Sequence, residues 1–296
     1  MTIDQSQEKF GIPGVVQFES GEGGLTRIAV KTNACQGQVY LHGAHVTRYQ
    51  KTGQRPLLFM SAKSLFETGK PIRGGVPICF PWFSNRGPKP DSPMHGFART
   101  FDWDVKSVSQ LNPETIEVAL TLAANAETKK YWPEDFEATH TVTFGDECRM
   151  ALTVQNLSDH PFKFEEALHT YFAVGDIRKT QLQGLAGVNY STKVHGQQNG
   201  QGPDPIQFTA ETDRVYANTP STCIINDPVW NRKITVAKQN SFTTVVWNPW
   251  IDRARAIPDF GDDEWPNMLC VETANAFDNA VTVQPNQSHT MTAILK

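Results

Sequence analysis

Apolar residues alternate with polar ones at a two-residue period in several parts of the chain, and this pattern constrains the fold most strongly. The clearest segments are residues 116–122, 150–154 and 291–295, and residues 242–247 form a β-branched and aromatic run. Successive side chains of a strand point to opposite faces of a sheet, so this period is typical of half-buried β-strands.

Turn-forming residues separate the alternating segments. Asn112 and Pro113, Gly145 and Asp146, and residues 158–161 interrupt the strands where an antiparallel sheet would reverse direction. No long apolar stripe of helical period is present, although residues 62–67 are compatible with a short turn of helix. The pattern predicts an all-β protein built as a large antiparallel β-sandwich.

The length of 296 residues fits one large β domain or two average domains. No change of composition, charged tail or long low-complexity tract divides the chain. We therefore predict a single domain over residues 1–296, with residues 1–14 as an N-terminal extension. Residues 196–205, GQQNGQGPDP, are polar and are predicted to form a surface loop.

Charge and cysteine content exclude several classes of protein. The chain has 27 basic and 31 acidic residues, a net charge of -4, which provides no general field for nucleic acid or an anionic membrane. Its five cysteines include no Cys-x-x-Cys pair, so neither a disulfide framework nor a zinc site is indicated. The first ten residues, MTIDQSQEKF, lack an apolar segment, and no stretch is long enough to span a membrane. These features predict a cytoplasmic protein without nucleic-acid or membrane partners.

Two arginines stand beside glycine, proline and aromatic residues. Arg73 begins the segment RGGVPICFPWF, and Arg99 lies in HGFART. A guanidinium stays charged and donates paired hydrogen bonds to phosphate oxygens, and Gly74 and Gly75 let the backbone adopt positive φ or approach a ligand closely. This composition favours a phosphorylated sugar as ligand, although ordinary surface arginines beside turn residues would give the same composition.

Two titratable residues are candidates for acid and base chemistry. In the segment LCVET, Glu272 alternates with Leu269 and Val271, so its carboxylate could project into a cleft or simply face solvent on a strand. In EEALHTYF, His169 stands among apolar residues, which fits either a proton-transfer group or a histidine buried in the core. His42 and His45 would lie on opposite faces of a strand, which argues against a metal site.

The order of several motifs along the chain resembles that of the hexose-6-phosphate mutarotases, also called glucose-6-phosphate 1-epimerases. The resemblance extends from about Val15 to the C-terminus and rests on the following motifs: RGGVPICFPWF, HGFART, ETKKYWPEDF, LHTYF, TDRVY, VVWNPW and CVET. These proteins belong to the aldose 1-epimerase-like enzymes, whose fold is a large β-sandwich. The resemblance therefore implies the same fold class as the alternation does.

The resemblance also implies roles for individual residues. The family's catalytic histidine matches His169 and its catalytic glutamate matches Glu272. The phosphate-binding arginines match Arg73 and Arg99. His95 would lie near the sugar, and Asp213 in TDRVY matches a carboxylate that contacts the sugar, although it could instead pair with Arg214 or face solvent.

The implied reaction exchanges the α and β anomers of a hexose 6-phosphate without a cofactor or metal. Glu272 would remove the proton of the anomeric hydroxyl while His169 donates a proton to the ring oxygen. Two other classes stay open: a sugar-phosphate binder without activity, and a glycosidase that uses Asp213 and Glu272 as its two carboxylates. Trp82, Trp247 and Trp250 could stack on the sugar or lie in the core. The order of preference among the 6-phosphates of glucose, galactose and mannose is left open, and we expect a monomer.

Overall fold

The computed structural model describes residues 1–194, 196 and 198–296, and antiparallel strands dominate it. The strands, in chain order, are β1 (Val16–Ser20), β2 (Thr26–Lys31), β3 (Cys35–Tyr40), β4 (His45–Lys51), β5 (Ile78–Cys79), β6 (Asp104–Asn112), β7 (Thr115–Ala123), β8 (Phe136–Phe144), β9 (Cys148–Asn156), β10 (Phe162–Phe164), β11 (Glu166–Leu168), β12 (Tyr171–Ala173), β13 (Gln181–Gln183), β14 (Asn189–Thr192), β15 (Gln198–Gln201), β16 (Ile206–Gln207), β17 (Thr212–Tyr216), β18 (Cys223–Asp227), β19 (Arg232–Gln239), β20 (Thr243–Asn248), β21 (Met268–Asn275), β22 (Val281–Val283) and β23 (Ser288–Leu295). The prediction of a mostly antiparallel β protein is confirmed.

Two large sheets organise these strands. The nine-stranded sheet has the order β16-β13-β18-β19-β23-β9-β8-β7-β6. The eight-stranded sheet has the order β15-β14-β17-β20-β21-β11-β5, and β12 also pairs with β21. Strands β1 to β4 form a separate four-stranded sheet, and β10 pairs with β22. We call the eight-stranded sheet the cleft sheet, because several of its strands line a deep cleft.

The alternating sequence segments form the centre of the nine-stranded sheet. Ile116, Val118 and Leu120 of β7 are fully buried, as are Leu152 of β9 and Met291 of β23. Strand β8 pairs with β7 and β9 along its whole length, so the buried residues of neighbouring strands form continuous rows. One apolar cluster contains these residues together with Leu269 and other residues of the cleft sheet. Burial of this shared cluster stabilises the sheets against each other.

The turns occur where the sequence predicted them. Residues 113–114 join β6 to β7, residues 145–147 join β8 to β9, and residues 157–161 separate β9 from β10. The prediction of positive φ in the RGG motif is also confirmed, since φ is 108° at Gly74 and 59° at Gly75. A Cβ atom on Gly74 would lie 2.5 Å from the carbonyl oxygen of Phe59, so only glycine fits there.

Several local predictions were wrong. Residues 62–67 form no helical turn, and the amide of Ala62 donates to the carboxylate of Glu264 from a distant part of the chain. In the predicted loop 196–205, β15 forms a hairpin with β14, and Gln197 lies outside the described residues. His42 lies in the turn before β4 rather than on a strand with His45, because the chain reverses at residues 41–44.

Two α-helices escaped the sequence analysis because each is short. Helix α1 (Ile3–Phe10) occupies part of the predicted N-terminal extension and begins with a capping box between Thr2 and Gln5. Helix α2 (Trp250–Ala256) follows β20 and borders the cleft. Within the described parts of the chain, neither helix has the length and apolar character that a membrane crossing requires.

Candidate active site

A cleft of about 560 Å³ lies against the cleft sheet. Its wall includes five of the six residues that the sequence analysis selected: Arg73, His95, His169, Asp213 and Glu272. Residues of β14, β17, β20 and β21 form its floor and one side, while α2 and the segments around Ser84 and Met94 border its mouth. Residues far apart in sequence therefore meet in one concave site.

Strand register explains how the floor is built. Asp213 of β17 pairs with Trp247 of β20, and Glu272 of β21 pairs with Val245 of β20. Paired residues of neighbouring strands point to the same face of a sheet. Asp213, Trp247, Val245 and Glu272 therefore all point toward the cleft, whereas their sequence neighbours point away.

His169 and Glu272 form the central pair of titratable groups. His169 lies between β11 and β12, which both pair with β21, and its amide donates to the carbonyl of Pro77. Nε2 of His169 lies 3.4 Å from Oε1 of Glu272. Only 8% of His169 and 2% of Glu272 is exposed to solvent. An acid and a base thus stand side by side on the wall of the cleft.

Burial shifts both groups toward their uncharged forms. It lowers the pKa of His169 to about 3, and the nearby guanidinium groups of Arg99 and Arg73 act in the same direction. It raises the pKa of Glu272 well above its usual range, as does the charge of Asp213, while Arg99 opposes the shift. Nδ1 of His169 and Oε2 of Glu272 have no hydrogen-bond partner among the described residues.

Three rings enclose the imidazole of His169. The ring of Tyr171 is stacked on it at a centroid distance of 4.8 Å and an interplanar angle of 9°. Trp247 and His95 approach its edge at centroid distances of 6.2 Å and 5.6 Å. This packing fixes the plane of the imidazole, so Nε2 stays directed at Glu272.

Arg73 lies at the wall of the cleft, where its side chain already has two partners. One terminal nitrogen donates to the hydroxyl of Tyr171 at 3.1 Å, and the other donates to the carboxylate of Asp259 at 3.0 Å. Nε of Arg73 is buried and unpartnered within the described chain. The guanidinium is therefore held on both sides, and its Nε–H remains unpaired.

Arg99 lies behind the wall and is not among the residues that line the cleft. It is 6% exposed, and a terminal nitrogen donates to the carbonyl of Met94 at 2.6 Å. Its Nε also lacks a partner in the described part of the protein. Burial, and to a lesser extent the charge of Arg73, lower the pKa of Arg99.

His95 is fixed by the loop that precedes it. The amide of Ser84 donates to Nδ1 of His95 at 3.1 Å, so the neutral ring carries its proton on Nε2. Its φ is 64°, and a Cβ atom on the following residue, Gly96, would lie 2.0 Å from the carbonyl oxygen of Phe80. This tight turn directs the imidazole to the cleft wall.

The charges of two cations that line the cleft act on Asp213, which forms no ion pair with Arg214 among the described residues. Burial raises the pKa of Asp213, while the charges of Lys193 and Arg253 oppose the shift. Both Lys193 and Arg253 are exposed, line the cleft, and form no ion pair within the described residues. Arg214 instead lies over the ring of Tyr190 at 4.7 Å.

Of the three tryptophans considered, only Trp247 lines the cleft. Trp82 packs on Phe97 at a centroid distance of 5.8 Å, and its Nε1 donates to the carbonyl of Pro93. Trp250 packs on Trp265 at 4.3 Å. Trp247 is thus the tryptophan positioned to contact a ligand.

Several other polar residues of the cleft were not predicted from the sequence, among them Tyr171, Asp259, Lys193 and Arg253. Tyr171 had a detectable signal, because residues i and i+2 of a strand share a face and His169 was already selected. The other three lie in segments without a pattern related to the cleft. No group of three potential metal ligands is present among the residues that the structure describes.

Comparisons with known proteins agree with this site. The model of the aldose 1-epimerase family matches residues 26–296. A Cenchrus ciliaris protein provisionally named glucose-6-phosphate 1-epimerase is 36% identical over 275 residues, covering 89% of this chain and 82% of the relative. An Escherichia coli K12 protein with the same provisional name is 36% identical over 268 residues, covering 90% and 88%.

A solved structure shows the same architecture. The crystal structure of a provisionally named mutarotase from Salmonella typhimurium superposes with a TM-score of 0.90 at 29% identity, covering 97% of this chain and 94% of the other. The family match and the extent of these similarities establish that the chain is an isomerase of the aldose 1-epimerase family.

Proposed function

We propose that this protein interconverts the α and β anomers of hexose 6-phosphates, with glucose 6-phosphate as its principal substrate. The observation that carries the proposal is the buried pair of His169 and Glu272 in a cleft that also contains Arg73. The pair supplies one acid and one base, which is what opening and closing a pyranose ring requires. The provisional names of the relatives from Cenchrus ciliaris and Escherichia coli support the choice of substrate.

The reaction needs one shared proton on the catalytic pair. Glu272 as carboxylate takes the proton of the anomeric hydroxyl, the C1=O bond forms, and the bond from C1 to the ring oxygen breaks. The ring oxygen takes the proton of His169. Rotation about the C1–C2 bond exposes the other face of the aldehyde, and the reverse proton transfers close the ring as the opposite anomer. Both residues return to their starting states without a cofactor.

Burial makes the pair favour its neutral form, so the substrate must help to charge it. Moving one proton from Glu272 to His169 creates the reactive ion pair without any exchange with solvent. A phosphate dianion beside Arg73 and Arg99 would offset the two cations that lower the pKa of His169. Substrate binding would thereby favour the imidazolium that donates to the ring oxygen.

Arg73 and Arg99 are proposed to bind the phosphate. Each keeps a buried Nε that lacks a partner in the described chain, and an unpaired buried donor is costly unless a ligand satisfies it. Arg73 would contact the phosphate from the cleft wall. Arg99 would reach it after its bond to the carbonyl of Met94 is released, or act through its charge from behind the wall.

His95 and Asp213 are proposed to bind the sugar. Nε2 of His95 would donate to a ring hydroxyl, because Nδ1 already accepts a hydrogen bond from Ser84. Asp213 would accept from a hydroxyl on the opposite side of the cleft, and Trp247 would provide an apolar face between them. We further propose that the protein acts as a monomer in the cytoplasm, where its five buried cysteines, all free, would stay reduced.

NMR exchange spectroscopy on the anomers of glucose 6-phosphate tests the proposal, with free glucose as a parallel substrate. We expect accelerated exchange of the phosphate ester and little effect on glucose. Acceleration of glucose instead would make the protein an aldose mutarotase, and release of a smaller product from a glycoside would indicate a glycosidase. Binding without acceleration of any anomer exchange would contradict the proposal and identify a sugar-phosphate binder.

A further inference from the structure

Tyr171 shares the buried side of the cleft with His169, and no part of the proposed reaction uses it. The residue belongs to β12, two positions after His169, and pairs with Cys270 of β21. Its side chain therefore points to the same face as Glu272, and only 1% of it is exposed. The centroid distance of 4.8 Å and the angle of 9° place the phenol ring face to face with the imidazole.

Two guanidinium groups and one carboxylate act directly on the imidazole. The charged or titratable groups that face His169 from the elements packed against it are Glu272, Arg73, Arg99, His45, His95 and Tyr171, with Asp213 and Asp259 at the far sides of Glu272 and Arg73. Glu272 is the carboxylate nearest to the ring, and Nδ1 has no hydrogen-bond partner in the described structure. A proton added to His169 thus has little hydrogen-bonding support from the protein.

A cation over the face of an aromatic ring within about 6 Å is attracted by the electron density of that face, and the attraction strengthens when water is excluded. The stacked ring of Tyr171 meets both conditions. It would not stabilise the neutral imidazole in the same way, since the attraction depends on positive charge.

We propose that the ring face of Tyr171 stabilises the protonated form of His169 and is thereby a positioning residue for the acid of the reaction. The inference rests on the proposed function for its catalytic consequence. The ring opposes the effect of burial and of the two arginines, so that His169 can hold its proton until the ring oxygen accepts it.

The hydroxyl of Tyr171 has a separate task. It accepts a hydrogen bond from Arg73 at 3.1 Å and so fixes one side of the proposed phosphate site. Ring and hydroxyl can be separated by substitution. Tyr171→Phe keeps the face and removes the bond to Arg73, whereas Tyr171→Leu removes both.

The test is the pH profile of anomer exchange for glucose 6-phosphate. At saturating glucose 6-phosphate, where the bound dianion is proposed to favour the imidazolium, loss of the proton from His169 sets the alkaline limb of kcat. A less stable imidazolium therefore moves that limb to lower pH. For Tyr171→Leu we expect a shift of about one pH unit downward, the size of a desolvated interaction of a cation with a ring. For Tyr171→Phe we expect an unchanged limb and a KM for the sugar phosphate raised by about tenfold, the loss of one charge-assisted hydrogen bond.

Fluorinated phenylalanines at position 171 keep the shape of the ring while they weaken the electron density of its face. We expect the alkaline limb to move down stepwise with the number of fluorine atoms, even where Tyr171→Leu fails to fold. Phe172→Leu is the matched control, because Phe172 is the fully buried next residue of the same strand and points to the opposite face. Phe172→Leu should lower stability and leave the pH of the alkaline limb unchanged.

A titration of the His169 ring by NMR, with glucitol 6-phosphate bound, separates this inference from the proposed function. Glucitol 6-phosphate is an open-chain analogue that cannot form a ring, and His169→Gln assigns the signal. A lowered pKa in the fluorinated variants supports the stacking role even if the protein exchanges no anomers. An unchanged pKa and an unchanged limb across the series would overturn it, even if exchange of glucose 6-phosphate is rapid.

Discussion

Strands β8 and β9 bury every second residue, whereas all eight residues of strand β21 are buried. The first two belong to the nine-stranded sheet, where one face packs into the core and the other is partly solvated. Strand β21 has the core on one side and the cleft wall on the other, and its second side contains Glu272. The same backbone geometry thus produces a packing surface in one sheet and a reactive surface in the other.

The two regions also differ in how their polar groups are grouped. In the nine-stranded sheet, the hydroxyls of Thr153 and Thr290 pair with each other at 2.8 Å across neighbouring strands. In the cleft, Oε2 of Glu272 and Nδ1 of His169 stay unpaired within the described protein. A single unsatisfied atom also occurs in β8 of the nine-stranded sheet, at Nε2 of His140, but in the cleft the unsatisfied atoms belong to two neighbouring titratable groups on a concave wall that a ligand can reach.

Substitution of His169 or Glu272 should have the largest effect on activity, and it tests whether the chemistry belongs to the cleft sheet. Glu272→Gln or His169→Gln should lower the rate of anomer exchange for glucose 6-phosphate by about a thousandfold, because each removes one proton-transfer group. NMR exchange spectroscopy measures the rate, and circular dichroism checks that the fold is retained.

Leu152→Ala in β9 is the converse experiment for the nine-stranded sheet. Loss of a fully buried leucine should lower the free energy of unfolding, measured in urea, by about 3 kcal/mol. The rate of anomer exchange by the folded variant should be nearly unchanged. A thousandfold loss of activity in this variant would show that the two sheets do not divide packing and chemistry between them.

Arg73→Ala should give the next largest effect, and only for the phosphate ester. Loss of a rigid guanidinium should lower kcat/KM for glucose 6-phosphate by about a hundredfold, with a much smaller change for free glucose. Arg99→Ala should act in the same direction. Equal losses of kcat/KM for both substrates would show that these arginines do not bind the phosphate.

Acid should destabilise both regions through buried histidines. Burial lowers the pKa of His45 and His169 to about 3 and that of His140, in β8, to about 4. Histidines of the unfolded chain take up protons near pH ~6.5. Between about pH 6.5 and 4 the unfolded state therefore holds more protons than the folded state, and the free energy of unfolding decreases as the pH is lowered. Each histidine contributes about 1.4 kcal/mol per pH unit in that window, which urea unfolding at several pH values would measure.

His140→Leu should make this pH dependence less steep without affecting anomer exchange, since His140 lies outside the cleft. His160→Ala is the control, because His160 is solvent-exposed and its pKa is raised, so it keeps its proton throughout the window. An unchanged steepness in His140→Leu would show that this histidine takes up its proton in the folded state.

The smallest effect should come from the cleft mouth. Lys193→Ala combined with Arg253→Ala should lower kcat/KM for glucose 6-phosphate about threefold to tenfold at low salt, and less at 0.5 M salt, because exposed charges act mainly by attracting the dianion. Arg255→Ala is the matched control, since Arg255 lies on the same helix and does not line the cleft. A salt-independent loss would indicate direct contact with the phosphate.

Much of the nine-stranded sheet could be predicted, because one solvated face makes the period of β7 and β9 visible in sequence. Strand β21 is buried on both sides, so alternation alone could not distinguish Glu272 in a cleft from a carboxylate on a solvated strand. The resemblance of CVET and LHTYF to family motifs selected Glu272 and His169. Helices α1 and α2 were missed because each has at most eight residues, too few for a helical period to stand out.

The amino-acid sequence by itself determined the fold class, the positions of the main turns and the glycines that permit positive φ beside Arg73, because these depend on local chemistry and on short periods. Tertiary structure alone decided that His169 and Glu272 lie 3.4 Å apart, that Tyr171 stacks on His169 with its hydroxyl on Arg73, and that Asp259 holds the other side of that guanidinium. Each of these contacts except the stacking joins segments about a hundred residues or more apart. Such contacts depend on how loops and strands that are distant in sequence pack together, and a local pattern of residues does not specify this packing.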